Sequence, residues 1–466
     1  VTDNMFKVEG GDAIAKYNLS LGYMNENGTL DRTSFQRYHT LLNTNVLISP
    51  QVELAATFGL SFLNGRLQDQ GMIPQTNPVL AAYAKAPLLS PYEKDLDGNL
   101  LSSFASYHYG RLSNMDFAIS NPLAITNTLD TRNRQYDINI KGALTYKLTP
   151  RFSITGSMGL YYNYNKESQF IPGLTDQAIV PLFDQYGEAY NTVKIGIAET
   201  RNHYYDLNAK YNNTWDGIHA FHFLGGVQAM TTKNEYDVGT GRNTASDFYQ
   251  TLGDTQGIGR YFYGYLEKWN WMNFYGHANY TYNEQVTASV NMAVDGASSA
   301  GVHGNHFTVY PSVGLTWLGK GWLPLSNSTL VNLLNVRAEY GITGNSRFSS
   351  KFGKYYYTNL PYQHISGIVR GNVSNTLLKP EKNHQLNAGI DMRLLHNWVD
   401  ISVDVYRNLT TDAIFAAPIS SAFGTSSYYD NLGEIENKGI ELFVQASAVK
   451  TSNFEWIVGG TIAFNK

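Results

Sequence analysis

The chain has 466 residues, a formal net charge of −4 and no cysteine. This excludes disulfides, thiol catalysis and Cys-ligated zinc, and without a Lys/Arg run there is no electrostatic footprint for nucleic acid. No apolar stretch nears the ~18 residues of a spanning helix, so a helical membrane protein is excluded, while a membrane β-barrel, which needs only every second residue apolar, is not.

Alternation of apolar and polar residues predicts strands along almost the whole chain. In order they are 15–23, 34–48, 51–62, 132–147, 151–164, 202–213, 220–231, 269–282, 286–295, 307–318, 333–343, 384–394, 398–406, 438–449 and 453–465. In the first, Ala15, Tyr17, Leu19, Leu21 and Tyr23 alternate with Lys16, Asn18, Ser20 and Gly22. Near the end, Ile440, Leu442, Val444 and Ala446 alternate with Glu441 and Gln445. That makes about fifteen strands, many longer than the usual five or six residues. No long segment has a helical period.

The connections alternate between tight and long. Ser49-Pro50, Leu148-Thr149-Pro150, 214–219, Asn283 to Gln285, 395–397 and 450–452 are short. Between them lie 24–33, 63–131, 165–201, 232–268, 296–306, 344–383 and 407–437, with 319–332 the one medium connection on the short side. Segregation of loop length by end is the pattern of outer-membrane barrels. Tyr17, Tyr23, Tyr162, Trp317, Tyr340 and Trp456 fall on apolar faces, mostly near strand ends, where a ring with one polar edge suits the lipid–water boundary. The same rings would also fit a sandwich core. An odd strand count leaves the last strand running outward and unpaired, so the expectation is an incomplete barrel.

Several blocks then resemble the SusC/RagA-type TonB-dependent outer-membrane transporters. YPSVGLTW (Tyr310 to Trp317) followed by LNVRAEYGITGN (Leu334 to Asn345) is similar to that family's strand pair, and VDGASS (Val294 to Ser299) to the segment before it. LKPEKNHQLNAGID (Leu378 to Asp391) and NLGEIENKGIEL (Asn431 to Leu442) resemble two later signatures. GGDAIAKYNLSLGYMNENG (Gly10 to Gly28) resembles the first barrel strand, and NPLA (Asn121 to Ala124) also recurs in the family. The motif positions are Pro311, Trp317, Gly341, Gly344, Asn345, Glu381, Asn437, Lys438 and Gly439. The resemblance implies an all-β, large antiparallel transmembrane β-barrel, 22 strands in full with about fifteen here, long loops outside and short periplasmic turns. It further implies a plug domain and final strands outside residues 1–466, a SusD-like surface lipoprotein as lid, TonB as energy source, and a Gram-negative outer membrane around it. The family's arginine beside the Asp-Gly-Ser-Ser segment is absent, with Met292-Ala293-Val294 there instead.

Chemistry-bearing motifs are few. Lys94 to Asn99 (KDLDGN) has calcium-loop character but lacks the distal Glu of a twelve-residue loop, so an Asp-Gly turn is expected. His303 and His306 lack a third ligand at metal-site spacing. No catalytic residue, cofactor or metal site is expected. Two aromatic loops stand out: Tyr261, Tyr263 and Tyr265, and Tyr355, Tyr356 and Tyr357. Each could stack on sugar or peptide, pack its loop or meet a partner, with Trp269, Trp271 and Tyr275 expected in the lipid girdle. Three functions remain open: import of a large nutrient, a scaffold subunit bound to other outer-membrane subunits, and, weakest, a soluble carbohydrate enzyme.

Overall fold

A computed structural model describes residues 1–106, 119–173, 178–184, 187–319, 325, 328–346, 348–362 and 365–466. Its main body is one sheet of 16 strands, each hydrogen-bonded to its neighbours in chain order. The strands are β1 (Thr2–Gly11), β2 (Ala15–Asn27), β3 (Ser34–Ser49), β4 (Val52–Leu67), β5 (Asp130–Thr149), β6 (Phe152–Ile171), β7 (Thr192–Trp215) and β8 (His219–Arg242). They continue as β9 (Tyr261–Tyr282), β10 (Val286–Ala297), β11 (Phe307–Leu318), β12 (Val331–Asn345), β13 (Glu381–Leu394), β14 (Val399–Pro418), β15 (Ser427–Lys450) and β16 (Glu455–Asn465). All fifteen expected strands are present. The sixteenth, β1, escapes the sequence pattern because only Phe6 and Val8 are large and apolar on the face it shares with Leu21 and Leu19.

Pairing is antiparallel throughout, and register decides the faces. Val286, Ala288, Val290 and Met292 of β10 lie opposite Trp317, Leu315, Val313 and Pro311 of β11. Thr287, Ser289 and Asn291 pair with Thr316, Gly314 and Ser312 on the other face. The polar face is the concave one. It encloses a cavity of about 1230 Å³ lined by residues such as Asn273, Asn291, Glu339, Asn387 and Glu441. The apolar face is convex and open: Met158 is 63% exposed and Leu207 54%.

The tight turns lie at one end. Asp216-Gly217 and Asn283-Glu284 have positive φ at both central positions of their turns, the primed-turn geometry that matches the twist of the flanking strands. At β1–β2, Asp12 Oδ1 accepts from Ile14 N and Ala15 N at 2.8 Å. These backbone donors hold the Asp12 carboxyl below the usual range.

At the opposite end the loops fold into structure of their own. Two short helices, α1 (Pro78–Ala84) and α2 (Pro122–Thr128), each begin Asn-Pro, with the Asn side chain capping two free backbone N–H groups and proline at the first turn. Ala81, Ala124, Ile125, Leu129, Ile171, Ala178 and Ile179 form a buried core between these helices and the loop after β6. Asn121 is wholly buried. Its Oδ1 accepts from Leu123 N at 3.0 Å, and its Nδ2 donates to Pro91 O at 2.7 Å and Ala105 O at 3.2 Å. One side chain therefore ties α2 to the hairpin of Tyr92–Lys94 and Leu100–Phe104. Asn121→Ala removes the cap and strands two carbonyls, a loss of about 2–3 kcal/mol local to this cap. Hydrogen exchange should accelerate in α2 and the hairpin while β5 and β6 keep their protection.

Candidate functional site

Tyr261, Tyr263 and Tyr265 belong to β9 rather than to a loop. They share the concave face with Tyr275, whose hydroxyl donates to Asp206 Oδ2 at 2.9 Å. Trp269 and Trp271 follow the same alternation. The expectation that Trp269, Trp271 and Tyr275 join the lipid-side girdle is thus corrected: that face of β9 carries Met272, Phe274, Tyr280 and Tyr282, which are 38–47% exposed. Trp, Tyr and Asn occupy the concave positions and Met, Phe and Tyr the convex ones, so aromatic density alone could not separate the faces.

The second aromatic group comes to meet the first. A single-turn helix, α3 (Ser350–Gly353), places Lys351 Nζ 4.9 Å from the Tyr265 ring centroid and 5.4 Å from that of Tyr356. An ammonium between two ring faces is a cation–π arrangement. Ser349 Oγ donates to Glu267 Oε1 at 2.9 Å, and Lys354 Nζ donates to Ser298 O at 2.8 Å. Phe352 stacks on Tyr429 with centroids 3.6 Å apart. Asn372 Nδ2 donates to Lys354 O at 2.9 Å and its Oδ1 accepts from Tyr356 N. The loop after β12 is therefore pinned to the rims of β9 and β15. Tyr261, Tyr263 and Tyr357 remain 62, 49 and 67% exposed around it. Tyr355 lies under the Arg370 guanidinium, 4.7 Å from its ring. Side chains of 359–366, the rest of that aromatic loop, lie outside the described residues.

The motif residues knit the wall. A Cβ at Gly344 would overlap the Tyr310 ring, one at Gly341 would meet Ser312, and one at Gly439 would meet Tyr406 and the Phe464 carbonyl. Glu381 Oε2 accepts from Asn345 Nδ2 at 3.2 Å, and its Oε1 from Ile414 N at 2.7 Å. The second bond spans a bulge in β14 where Asp412 has φ 57°. Lys379 closes on Asp412 at 2.9 Å, and Asn431 Nδ2 reaches Lys379 O and Asp412 O. Asn437 lines the concave cavity. Lys438 and Pro311 face outward with Ile440 and Val313, as alternation requires.

Tyr17, Tyr23, Tyr162, Trp317, Tyr340 and Trp456 all lie on the convex face. Tyr23, Tyr38, Phe62, Tyr136 and Tyr164 form a row in direct register on β2–β6, with successive ring centroids 4.9–6.3 Å apart. Tyr340 Oη meets His384 Nδ1 at 3.0 Å. At the other end Tyr282, Val286 and Trp317 continue a second row.

The KDLDGN segment is a hairpin tip. Asp95 Oδ1 accepts from Asp97 N and Asn99 N, and Oδ2 from Asn99 Nδ2. The Asn99 side chain is the main cause of the lowered Asp95 carboxyl pKa. Gly98 takes φ +88°. The carboxylate is used up by its own turn. Among the described residues no three His, Asp or Glu side chains converge as a metal site.

Residues 82–465 match the family model described as TonB dependent receptor-like, beta-barrel. TonB-dependent receptor P3 of Formosa agariphila is 25% identical over 483 residues, covering 100% of this chain and 45% of that protein. TonB-dependent receptor SusC of Bacteroides thetaiotaomicron is 24% identical over 501 residues, covering 100% and 46%. Among solved structures, the RagAB peptide transporter superposes with a TM-score of 0.84 at 17% identity, over 99% of this chain and 50% of that one. The ferripyoverdine receptor of Pseudomonas aeruginosa gives 0.60 at 12%, over 100% and 54%. The chain thus spans about half the length of the relatives it matches.

Gly344→Ala should destabilise the wall by about 1–3 kcal/mol through overpacking, because Tyr310 is only 7% exposed and its ring has little room to move. A second change, Tyr310→Ser, should recover part of the loss in heat-modifiable gel mobility. From the family match and the two-faced antiparallel wall, the chain belongs to the TonB-dependent receptor-like β-barrel family of the outer membrane, of the SusC/RagA type, a family of receptors and transporters and not of enzymes.

Proposed function

We propose that this chain is the barrel wall of an outer-membrane importer of large nutrients, glycan or peptide, working with a SusD-like surface lipoprotein and energised through TonB. The observation that carries the reading is the separation of faces: a polar concave wall, an apolar convex one and an aromatic rim at the long-loop end. SusC, and the RagAB complex named a peptide transporter, are relatives of the same wall. TonB and the lipoprotein enter through that kinship alone.

The convex aromatic rows are read as the two lipid–water boundaries. Tyr136 and Tyr146 lie on β5 about ten residues apart, and a rise of ~3.3 Å per residue at ~40° tilt makes about 25 Å, the height of a barrel's apolar band. Hydrocarbon offers no partner for free strand edges. We therefore place further strands of the same protein between β16 and β1, and a plug within the concave face. The exposed rim tyrosines, Tyr261, Tyr263, Tyr355 and Tyr357, are the proposed contacts to ligand or lid, with Tyr265 and Tyr356 holding the loop through Lys351. The alternative, a scaffold subunit without active import, differs by its energy coupling.

Two measurements separate these readings. Deleting the gene in its native host should abolish growth on one glycan or peptide source, and complementation should require a TonB-contacting segment. A host that grows equally on every such source without the gene favours the scaffold. Tyr261→Ala with Tyr263→Ala in the full-length protein should weaken ligand or lipoprotein capture about tenfold or more, at ~1–3 kcal/mol per lost stacking ring. Unchanged capture would remove the rim from the site.

A further inference from the structure

The convex face above the aromatic row of β4–β6 carries cations opposite cations. Arg66 of β4 lies in direct register with Arg132 of β5. Arg134 of β5 lies in direct register with Lys166 of β6. All four are exposed and sit just beyond Phe62, Tyr136 and Tyr164. Like charges directly opposite across two strands are destabilising, so such a pair needs an anion nearby.

In two other cation pairs on the convex wall the chain supplies that anion itself, although Lys268, in register with Lys233, has no carboxylate of its own among the described residues. Arg201 is in register with Lys233, and each has its own carboxylate: Glu199 at 2.6 Å and Glu235 at 2.7 Å. Arg407 is in register with Lys438, and Glu436 lies 2.7 Å from the first and 3.4 Å from the second. At β4–β6 only Arg132 is served, by Asp130 at 2.7 Å. Among the described residues no carboxylate lies within salt-bridge distance of Arg66, Arg134 or Lys166. Their in-register convex-face neighbours are Ser34, Asn64 and Ile197, and Glu199, the next convex residue along from Ile197, is held by Arg201.

We infer that Arg66, Arg134 and Lys166 form a binding site for a phosphorylated lipid headgroup of the outer leaflet, with the Phe62–Tyr136–Tyr164 row beneath it against the upper acyl chains. The position fixes the occupant. The cluster begins where the apolar band ends, at the long-loop end that faces outward, and it faces the bilayer and not the lumen. Guanidinium groups bind phosphate oxygens in bidentate fashion, and lysine adds a point charge. Each basic residue at a membrane surface contributes roughly fivefold in affinity for anionic lipid.

The test uses the full-length protein in nanodiscs of zwitterionic lipid, titrated with a disaccharide glycolipid bearing or lacking its phosphates and read by native mass spectrometry. Wild type should retain the phosphorylated form and release the phosphate-free form. The triple variant Arg66→Gln, Arg134→Gln, Lys166→Gln should bind about 100-fold more weakly. Arg134→Lys should keep most of the affinity, and Lys141→Gln, on the concave face of β5, all of it. Heat-modifiable mobility identifies any variant that fails to fold, and the single variant Arg134→Gln, expected to bind about fivefold more weakly, then carries the comparison. Equal retention by wild type and the triple variant, or equal retention of both glycolipids, overturns the proposal. So does loss of an acidic protein partner from the triple variant with lipid binding unchanged.

Discussion

A bilayer interior offers no hydrogen-bond partner to a backbone N–H or C=O. A chain that crosses it as strands must pair every strand with a neighbour and turn its apolar side chains to the hydrocarbon. The rest of this structure follows from that constraint. It dictates one continuous antiparallel sheet of neighbours in chain order, apolar residues on the convex side and polar residues on the concave side. It also dictates tight turns where nothing more is needed, and leaves the opposite ends free to grow into loops.

This is why the membrane-crossing half of the fold was legible in the sequence and the outer half was not. Between the two aromatic rows most convex positions are apolar, with exceptions such as Thr40, Thr44 and His203, so the period of two shows through. Beyond the row the hydrogen bonds continue but the solvent changes. β7 begins at Thr192 and β8 runs to Arg242, ten or so residues beyond the expected ends, because Glu199, Arg201, Lys233 and Glu235 stand where leucines would otherwise mark the strand. The same reason hid β1, with two large apolar residues on its lipid side, and placed Tyr261, Tyr263 and Tyr265 in a loop. The tight turns at Asp216-Gly217 and Asn283-Glu284 were readable because their chemistry is local.

The site was less legible than the fold. Resemblance pointed to Gly344, Glu381 and Gly439, and these turn out to settle how strands fit: a ring passing over a missing Cβ, a carboxylate capping a bulge. These contacts fix how neighbouring strands pack, and they say nothing of cargo. The contacts that organise the rim are long-range. Lys351 between Tyr265 and Tyr356, and Phe352 on Tyr429, join segments far apart in sequence, and no local pattern announces them. The buried Asn121 is an exception in part: its Asn-Pro step predicts a cap, though not the two carbonyls its amide serves.

Which solvent meets the convex face decides whether this sheet is a membrane wall or one layer of a protein core. Nitroxide labels at Leu442 and Val444, compared with labels at Glu441 and Gln445 on the same strand of the full-length protein in bilayers, test it directly. The convex pair should collide with lipid-dissolved oxygen and be shielded from a water-soluble nickel chelate, while the concave pair shows little oxygen contact. Labels at Leu442 and Val444 that collide with the chelate, or with neither reagent because protein covers them, would contradict the membrane wall.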